Sequence, residues 1–251
     1  MASTSEDKLL LARVEDAILL CQKHSYPHFI GFLDERQRAL LSARFKYLAE
    51  TTLSFWGGHE EAERTLLGAF PDFMEPDNAI FPLSALTFRY RESAALSHRD
   101  FLGTLLSNGL RREKIGDILC FPGKTIVFVC EEVASFVCEQ ITKVGGEGVT
   151  CTNGLDEPLH FARAYKDLQA SIASPRLDNA VKALVGLSRE KAAALILGGF
   201  VSCNHQLCEN VSKVVCEGDV LSIRGYGRFR ITSLSEKTRK ERFILLAQKY
   251  L

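Results

Sequence analysis

Apolar positions along the chain change spacing several times, and each change marks an element. Over residues 6–24, Leu9, Leu10, Val14, Ala17, Ile18 and Cys21 recur at helical spacing and predict an amphipathic helix. "DERQRALLSARFKYLA" predicts a second helix, with Asp34 as N-cap and Leu40, Leu41 and Phe45 on one face. "TTLSFWGG" reads as a strand ending in glycines, "EEAERTLLGAF" as a further helix, and the proline-bearing "PDFMEPDN" as a loop. Residues 1–80 are therefore expected to form a mostly helical N-terminal region.

From residue 83 the period alternates between strand and helix. "LSALTFRYR" predicts a strand, "SHRDFLGTLLSNG" a helix stopped by Asn108-Gly109, and "DILCF-PG-KTIVFVC" a hairpin. "EEVASFVCEQITKV" predicts another helix and "GVTCTN" a last strand. The order strand–helix–strand–strand–helix–strand is the split βαβ arrangement, assigned here to a middle, RRM-like domain over 81–165. RNA-binding domains, enzymes and regulatory domains all use that fold, so it defines no function.

Residues 154–175, with Gly154, Pro158 and "SIASP", read as a connector. A third domain, 174–251, opens with two helices. "RLDNAVKALVGL" places Leu177, Val181, Leu184 and Val185 on one stripe with Lys182 opposite; "SREKAAALILGG" starts at Ser188 as N-cap and closes on two glycines. Short strands are expected at "FVSC", "SKVV" and "VLSIRG", separated by turns at Asn204-His205 and Glu217-Gly218-Asp219.

The stretch "RGYGRFRI", residues 224–231, lacks the third glycine of a dinucleotide fingerprint and the Gly-Lys-Ser/Thr of a P-loop, so it is no phosphate cradle. Read as a strand, it places Ser222, Arg224, Tyr226, Arg228 and Arg230 on one face and Leu221, Ile223, Phe229 and Ile231 on the other. The first face would bind phosphate through guanidinium groups and stack a base on Tyr226, or it is a solvated edge protected by charge.

Charge separates these choices. The chain of 251 residues has a formal net charge of +0, but the charge is unevenly spread. Lys and Arg against Asp and Glu stand at 8 to 10 over 1–70, 9 to 13 over 71–165, and 14 to 8 over 166–251. A basic, polyanion-seeking module is thus carried by a mildly acidic body. Ser188 and Arg189 fall at a helix N-terminus, where free N–H groups favour an anion. Arg176, Lys182 and Lys191 lie on the same helix pair, a suitable grip for an RNA backbone. In the acidic middle region, Arg99 and the loop residues Arg111, Arg112 and Lys114 offer a second RNA contact or a solvated loop.

Catalytic and metal motifs find little support. "HRD" at 98–100 lacks the kinase Asn, glycine loop and DFG. Cys21, His24 and His28 lack a second thiol pair, and Pro27 interrupts them, so no metal is expected. The 8 cysteines form no paired framework and read as reduced, mostly buried thiols of a cytoplasmic protein. No secretory signal pattern opens the chain, and "AAALILGGFV" is too short to span a bilayer. "RLD" at 176–178 lacks the surroundings of a pseudouridine synthase motif.

The order R-L-D, S-R-x-x-A, I-x-x-G-x-V-x-x-N and G-D-x-x-S-x-R-G across 176–225 resembles the S-four RNA-binding domain, named after ribosomal protein S-four. Family contacts map onto Arg176, Lys182, Ser188, Arg189 and Lys191; the turn Asn204-His205-Gln206 lacks the family's usual cation. "FLDERQ", "FWGGHEEAER", "SHRDFLGTLLSNGLRREKIGDIL" and "RGYGRF" are similar to bacterial YlmH-type proteins over nearly the whole chain. That resemblance implies an α+β protein with an N-terminal helical region, an RRM-like domain and a C-terminal S-four-like domain. It implies binding to the large ribosomal subunit carrying obstructed peptidyl-tRNA, through ribosomal RNA and tRNA, and support of non-templated tailing of the stalled chain. The expectation is a non-catalytic cytoplasmic monomer without cofactor or membrane partner, working beside other quality-control factors. The alternatives are an RNA-modifying enzyme anchored by its S-four-like domain, or a protein-interaction scaffold.

Overall fold

The computed structural model describes residues 5–46, 51–157, 159, 164–235 and 242–250. The chain divides into two compact units, Met1–Phe161 and Ala162–Leu251.

The first unit begins with α1 (Ser5–His24), β1 (His28–Leu33), α2 (Glu35–Arg44), β2 (Thr51–Trp56) and β3 (Thr65–Pro71). Asp34 caps α2 reciprocally: its carboxylate accepts from Gln37 N at 2.8 Å, and the Gln37 side chain accepts from Asp34 N at 2.9 Å. The three strands form an antiparallel sheet in the order β1-β3-β2. The helix expected over "EEAERTLLGAF" is therefore corrected to a strand, and the N-terminal region is mixed rather than mostly helical. Every residue of β3 is buried. Leu67 and Ala69 pack towards α1, while Leu66 and Phe70 face the other way. A central strand buried on both faces is apolar throughout, a pattern that spacing alone cannot tell from a helix.

The split βαβ arrangement follows: β4 (Leu83–Arg89), α3 (His98–Ser107), β5 (Ile115–Phe121), β6 (Lys124–Cys130) and α4 (Glu131–Gln140). A two-residue hairpin, β7 (Lys143–Val144) and β8 (Glu147–Gly148), leads to β9 (Thr150–Asn153). The sheet runs β5-β6-β4-β9, with every pairing antiparallel. One face, carrying Phe88, Val127 and Val129, is covered by Phe101 and Leu105 of α3 and Ala134 and Val137 of α4. The other face, carrying Leu119, Ile126 and Phe128, is covered by Phe32, Leu66 and Phe70 from the first sheet.

The glycines of "FWGGHEEAER" serve this second contact. A Cβ at Gly58, whose φ is +95°, would fall 2.3 Å from the Phe128 ring. Arg64 closes the loop by donating to three backbone carbonyls, Ile115 at 2.9 Å and Phe32 and Arg112 at 3.0 Å each. Asp117 accepts from the N–H groups of Glu63 and Arg64 at 2.8 and 3.0 Å and meets His59 Nε2 at 3.1 Å.

The second unit holds β10 (Tyr165–Ile172), α5 (Leu177–Val185), α6 (Arg189–Leu197), β11 (Val201–Cys203), β12 (Gln206–Leu207), β13 (Val220–Ile223), β14 (Gly227–Leu234) and β15 (Phe243–Tyr250). These strands form one sheet, β10-β15-β14-β13-β11-β12. The expected connector is corrected: its residues 165–172 pair along their full length with the last strand, from Tyr165↔Tyr250 to Ile172↔Phe243. "SKVV" forms only the isolated bridge Arg176↔Val214 rather than a strand. Helices α5 and α6 cover one face of the sheet, where Val181, Ala192 and Ile196 meet Leu221, Phe229 and Ile231.

Candidate nucleic-acid interface

The helix pair of the second unit is organised by one buried carboxylate. Asp178, whose side chain is 3% exposed, lies in the first turn of α5. It accepts from Arg176 through both oxygens at 3.1 Å and from Arg189 Nε at 3.0 Å. Arg176 and Arg189 keep 35% and 60% of their side-chain surface. Burial alone would raise the Asp178 pKa, but the two arginines and the N–H of Asn179 overcome it and hold the carboxyl below its ordinary range. The result is two partly exposed guanidinium groups of fixed position at the starts of adjoining helices, with donors to spare for a polyanion.

Backbone bonds anchor the start of α5: Leu177 N and Asp178 N donate to Lys213 O and Val211 O at 2.8 and 3.1 Å. Gly186, with φ +69°, ends α5, and Leu187 N returns to Lys182 O at 3.2 Å. Ser188 then caps α6, its hydroxyl accepting from Lys191 N at 3.3 Å. Ser188 thus spends that oxygen on the helix. Lys182 and Lys191 are exposed.

The Asn204-His205 turn has positive φ at both residues, 51° and 63°, as a two-residue hairpin between β11 and β12 requires. The exposed Asn204 side chain reaches the neighbouring turn: its Oδ1 accepts from Val220 N at 2.8 Å, and its Nδ2 donates to Asp219 at 2.7 Å. Asp219 in turn accepts from Cys216 N at 2.8 Å. The Asn and the Gly-Asp of the quoted pattern are thus one hydrogen-bonded link between two turns.

"RGYGRFRI" is not a continuous strand. Arg224, Gly225 and Tyr226 form a hairpin turn, with Tyr226 N bonded to Ile223 O at 3.0 Å and φ of +84° and +110° at Gly225 and Gly227. Only Arg228 and Arg230 keep the expected strand positions, opposite Ser222 and Val220. Because Phe229 and Ile231 join the helices in the core, Arg228 and Arg230 point from the other face of the sheet. Arg224 instead lies over the Phe200 ring, 5.6 Å from its centroid. The basic residues therefore divide into a helix-pair group and a group on the sheet face away from the helices, and do not share one face of the module.

In the first unit, Arg99 and Arg111 are exposed, Arg111 with its guanidinium 3.3 Å from Glu113. Arg112 turns inward and donates to Ile115 O at 2.9 Å, and Lys114 pairs with Glu132. Asp100 of "HRD" caps α3 by accepting from Ser97 N at 2.8 Å. RRM-type sheets stack bases on the face opposite their helices. Here that face is the one buried against the first sheet.

Of the cysteines, Cys21, Cys130, Cys203 and Cys208 are buried, and Cys120 and Cys216 are exposed. Cys138 and Cys151 lie between these extremes, so burial is less general than expected. Asp178 was visible in the sequence only as part of "RLD"; its hold on an arginine 11 residues away was not.

The architecture is an α+β, two-unit protein with a split βαβ sheet in one unit and a helix-pair-on-sheet module in the other. Residues 76–154 match the family described as "Putative RNA-binding domain in YlmH", and residues 175–221 match the "S4 domain" family. The Ribosome-associated protein quality control protein P2 of Bacillus subtilis (strain 168) is 34% identical over 214 residues, covering 84% of this chain and 83% of the relative. The Cell division protein ylmH from Streptococcus pneumoniae shares the fold at TM-score 0.52 and 21% identity, over 62% of this chain and 94% of that one. The chain belongs to the YlmH family, with its RNA-binding domain and an S4 domain.

Proposed function

We propose that the chain is a non-catalytic protein that binds ribosomal RNA and tRNA on the large ribosomal subunit, in the rescue of stalled nascent chains. The observation that carries this reading is the clamp of Arg176 and Arg189 on the buried Asp178. Fixed guanidinium groups at two helix starts offer charge-assisted donors to a phosphate backbone. The name of the Bacillus relative, and the excess of cations over 166–251, support the same direction. Lys182 and Lys191 add charge around the clamp, while Ser188 contributes through the helix start it caps. Arg99 and Arg111 are the middle-region side chains most open to a second contact. That region has to use edges and loops, since both faces of its sheet are covered.

The reading takes 1–80, 81–165 and 174–251 as its domains, the last extended back to Tyr165 by its pairing with Tyr250, and places a monomer in the cytoplasm. It is tested by sedimenting the full chain with purified 50S subunits, with and without peptidyl-tRNA, through sucrose, followed by RNA cross-linking. Co-migration that is lost in the Arg176→Ala/Arg189→Ala variant is expected. Wild-type protein remaining in the free fractions under both conditions overturns the proposal.

A further inference from the structure

The face of the second unit's sheet away from α5 and α6 carries a row of half-buried side chains that the helix-pair site does not use. In register across four strands stand Ser222, Arg228, Tyr250 and Tyr165. Ser222 pairs with Arg228, and Tyr165 with Tyr250. Phe229↔Lys249 makes Arg228 and Tyr250 the next opposing positions, and the Arg228 guanidinium lies 5.4 Å from the Tyr250 ring centroid. The two tyrosine rings meet edge to face, 5.2 Å apart. None of the four belongs to the core beneath α5 and α6. Arg230 is exposed one pair further along the same face, and Leu246 is 38% exposed beyond it.

We propose that this row, chiefly Tyr165, Tyr250 and Arg228, is a stacking platform for unpaired nucleotides of single-stranded RNA. The inference deepens the RNA-binding reading above and rests on it. Half-buried aromatic rings on a sheet face keep part of their π-surface for bases of any sequence, and a guanidinium beside the ring both stacks and holds the adjoining phosphate. Arg228 and Arg230 supply the positive charge that an RNA strand requires and that a second copy of the same basic face would repel. The divided arrangement then has a purpose: the helix pair grips a backbone, and the opposite face receives bases that have left a helix. Tyr226, on the turn and 36% exposed, stands outside this row.

The test compares two RNAs on the full chain by fluorescence anisotropy, a labelled 12-nucleotide oligo(U) and a 12-base-pair duplex of mixed sequence. The variant Tyr165→Leu/Tyr250→Leu keeps an apolar cross-strand pair but removes the rings. The expected result is a loss of about tenfold or more in oligo(U) affinity, the scale of one to two stacked bases, with duplex affinity within about twofold. Circular dichroism melts confirm that the variant folds, and Tyr250→Phe, which keeps a ring, is expected to retain oligo(U) binding. Oligo(U) affinity unchanged in a folded leucine variant, or no oligo(U) binding by the wild type, overturns the platform. Dimerisation lost in the leucine variant, without an effect on oligo(U), assigns the face to a second copy instead. Ribosome binding that depends on Arg189 while oligo(U) ignores the tyrosines would sink the platform alone. Absence of both kinds of binding would sink the underlying reading as well.

Discussion

The Asp178 carboxylate reaches across an interhelical turn to hold Arg189 Nε at 3.0 Å, while the same carboxylate is forked by Arg176. A buried acid is thus placed inside a basic site, where simple charge counting would count it as a cost to RNA binding. Its geometric effect points the other way, because it removes rotamer freedom from both arginines before RNA arrives. Asp178→Asn raises the net charge by one, yet RNA affinity is expected to fall several-fold. Stability is expected to drop by about 1–3 kcal/mol, the usual cost of a weakened buried hydrogen-bonded group. Urea melts and anisotropy on the same preparation check both; a rise in affinity would assign Asp178 a purely structural role.

Acid should weaken both units through carboxylates. Asp178 and Asp117 each have a folded pKa below the ordinary value despite burial, the first through Arg176 and Arg189, the second through His59 and the N–H groups of Glu63 and Arg64. A depressed folded pKa contributes stability that is fully present above the unfolded value near 4 and disappears as pH falls through the folded one. Melting temperatures read against pH are expected to show no loss from these two groups between pH 6 and 8. A loss is expected below about pH 4, and Asp117→Asn should flatten that acid limb.

Arg64 is the keystone of the contact between the two sheets of the first unit, since one side chain satisfies three carbonyls. Arg64→Met keeps most of the volume but orphans those acceptors. The expected destabilisation is at least about 2 kcal/mol, with hydrogen exchange quickening in both sheets together. Exchange that quickened in only one sheet would contradict the shared core.

Asn204→Ala removes both bonds linking the β11–β12 turn to Asp219 and Val220 and places a poor residue at positive φ. A loss of about 1–3 kcal/mol is expected from the second unit. Asn204→Gly restores the backbone freedom but not the bonds, so its cost should be smaller. Equal costs would show that the positive φ contributes nothing and that the whole loss comes from the side-chain link.

Arg189 and Arg228 lie in different basic groups, so their phosphate contacts should add. The double variant Arg189→Ala/Arg228→Ala is expected to weaken RNA binding and reduce the slope of log affinity against log salt by up to about two units. Titrations at several salt concentrations measure this directly; an unchanged slope removes both side chains from the interface.

The helix–helix–sheet order of the second unit, the split βαβ order of the first, and the caps at Asp34 and Ser188 were all legible in the sequence. They rest on local chemistry: a period, a capping side chain, a glycine after the last turn. That 224–231 is no phosphate cradle was legible too, but the turn that its glycines allow was not. β3 was misread because burial on both faces erases the alternation that identifies a strand. Residues 165–172 read locally as a connector because their partner strand, Phe243–Tyr250, lies at the far end of the chain.

Local pattern by itself determined most of the helical and extended segments, where most of them begin, and that the cations gather from residue 166 onwards. Only the tertiary structure decided which cations work together. Arg176 and Arg189 meet through Asp178, Arg228 meets Tyr250 across a strand pair, and Arg112 turns inward to a carbonyl. Spacing along a chain fixes which face a side chain takes on its own element. What that face meets depends on partners brought together from distant parts of the sequence by burial of the shared core.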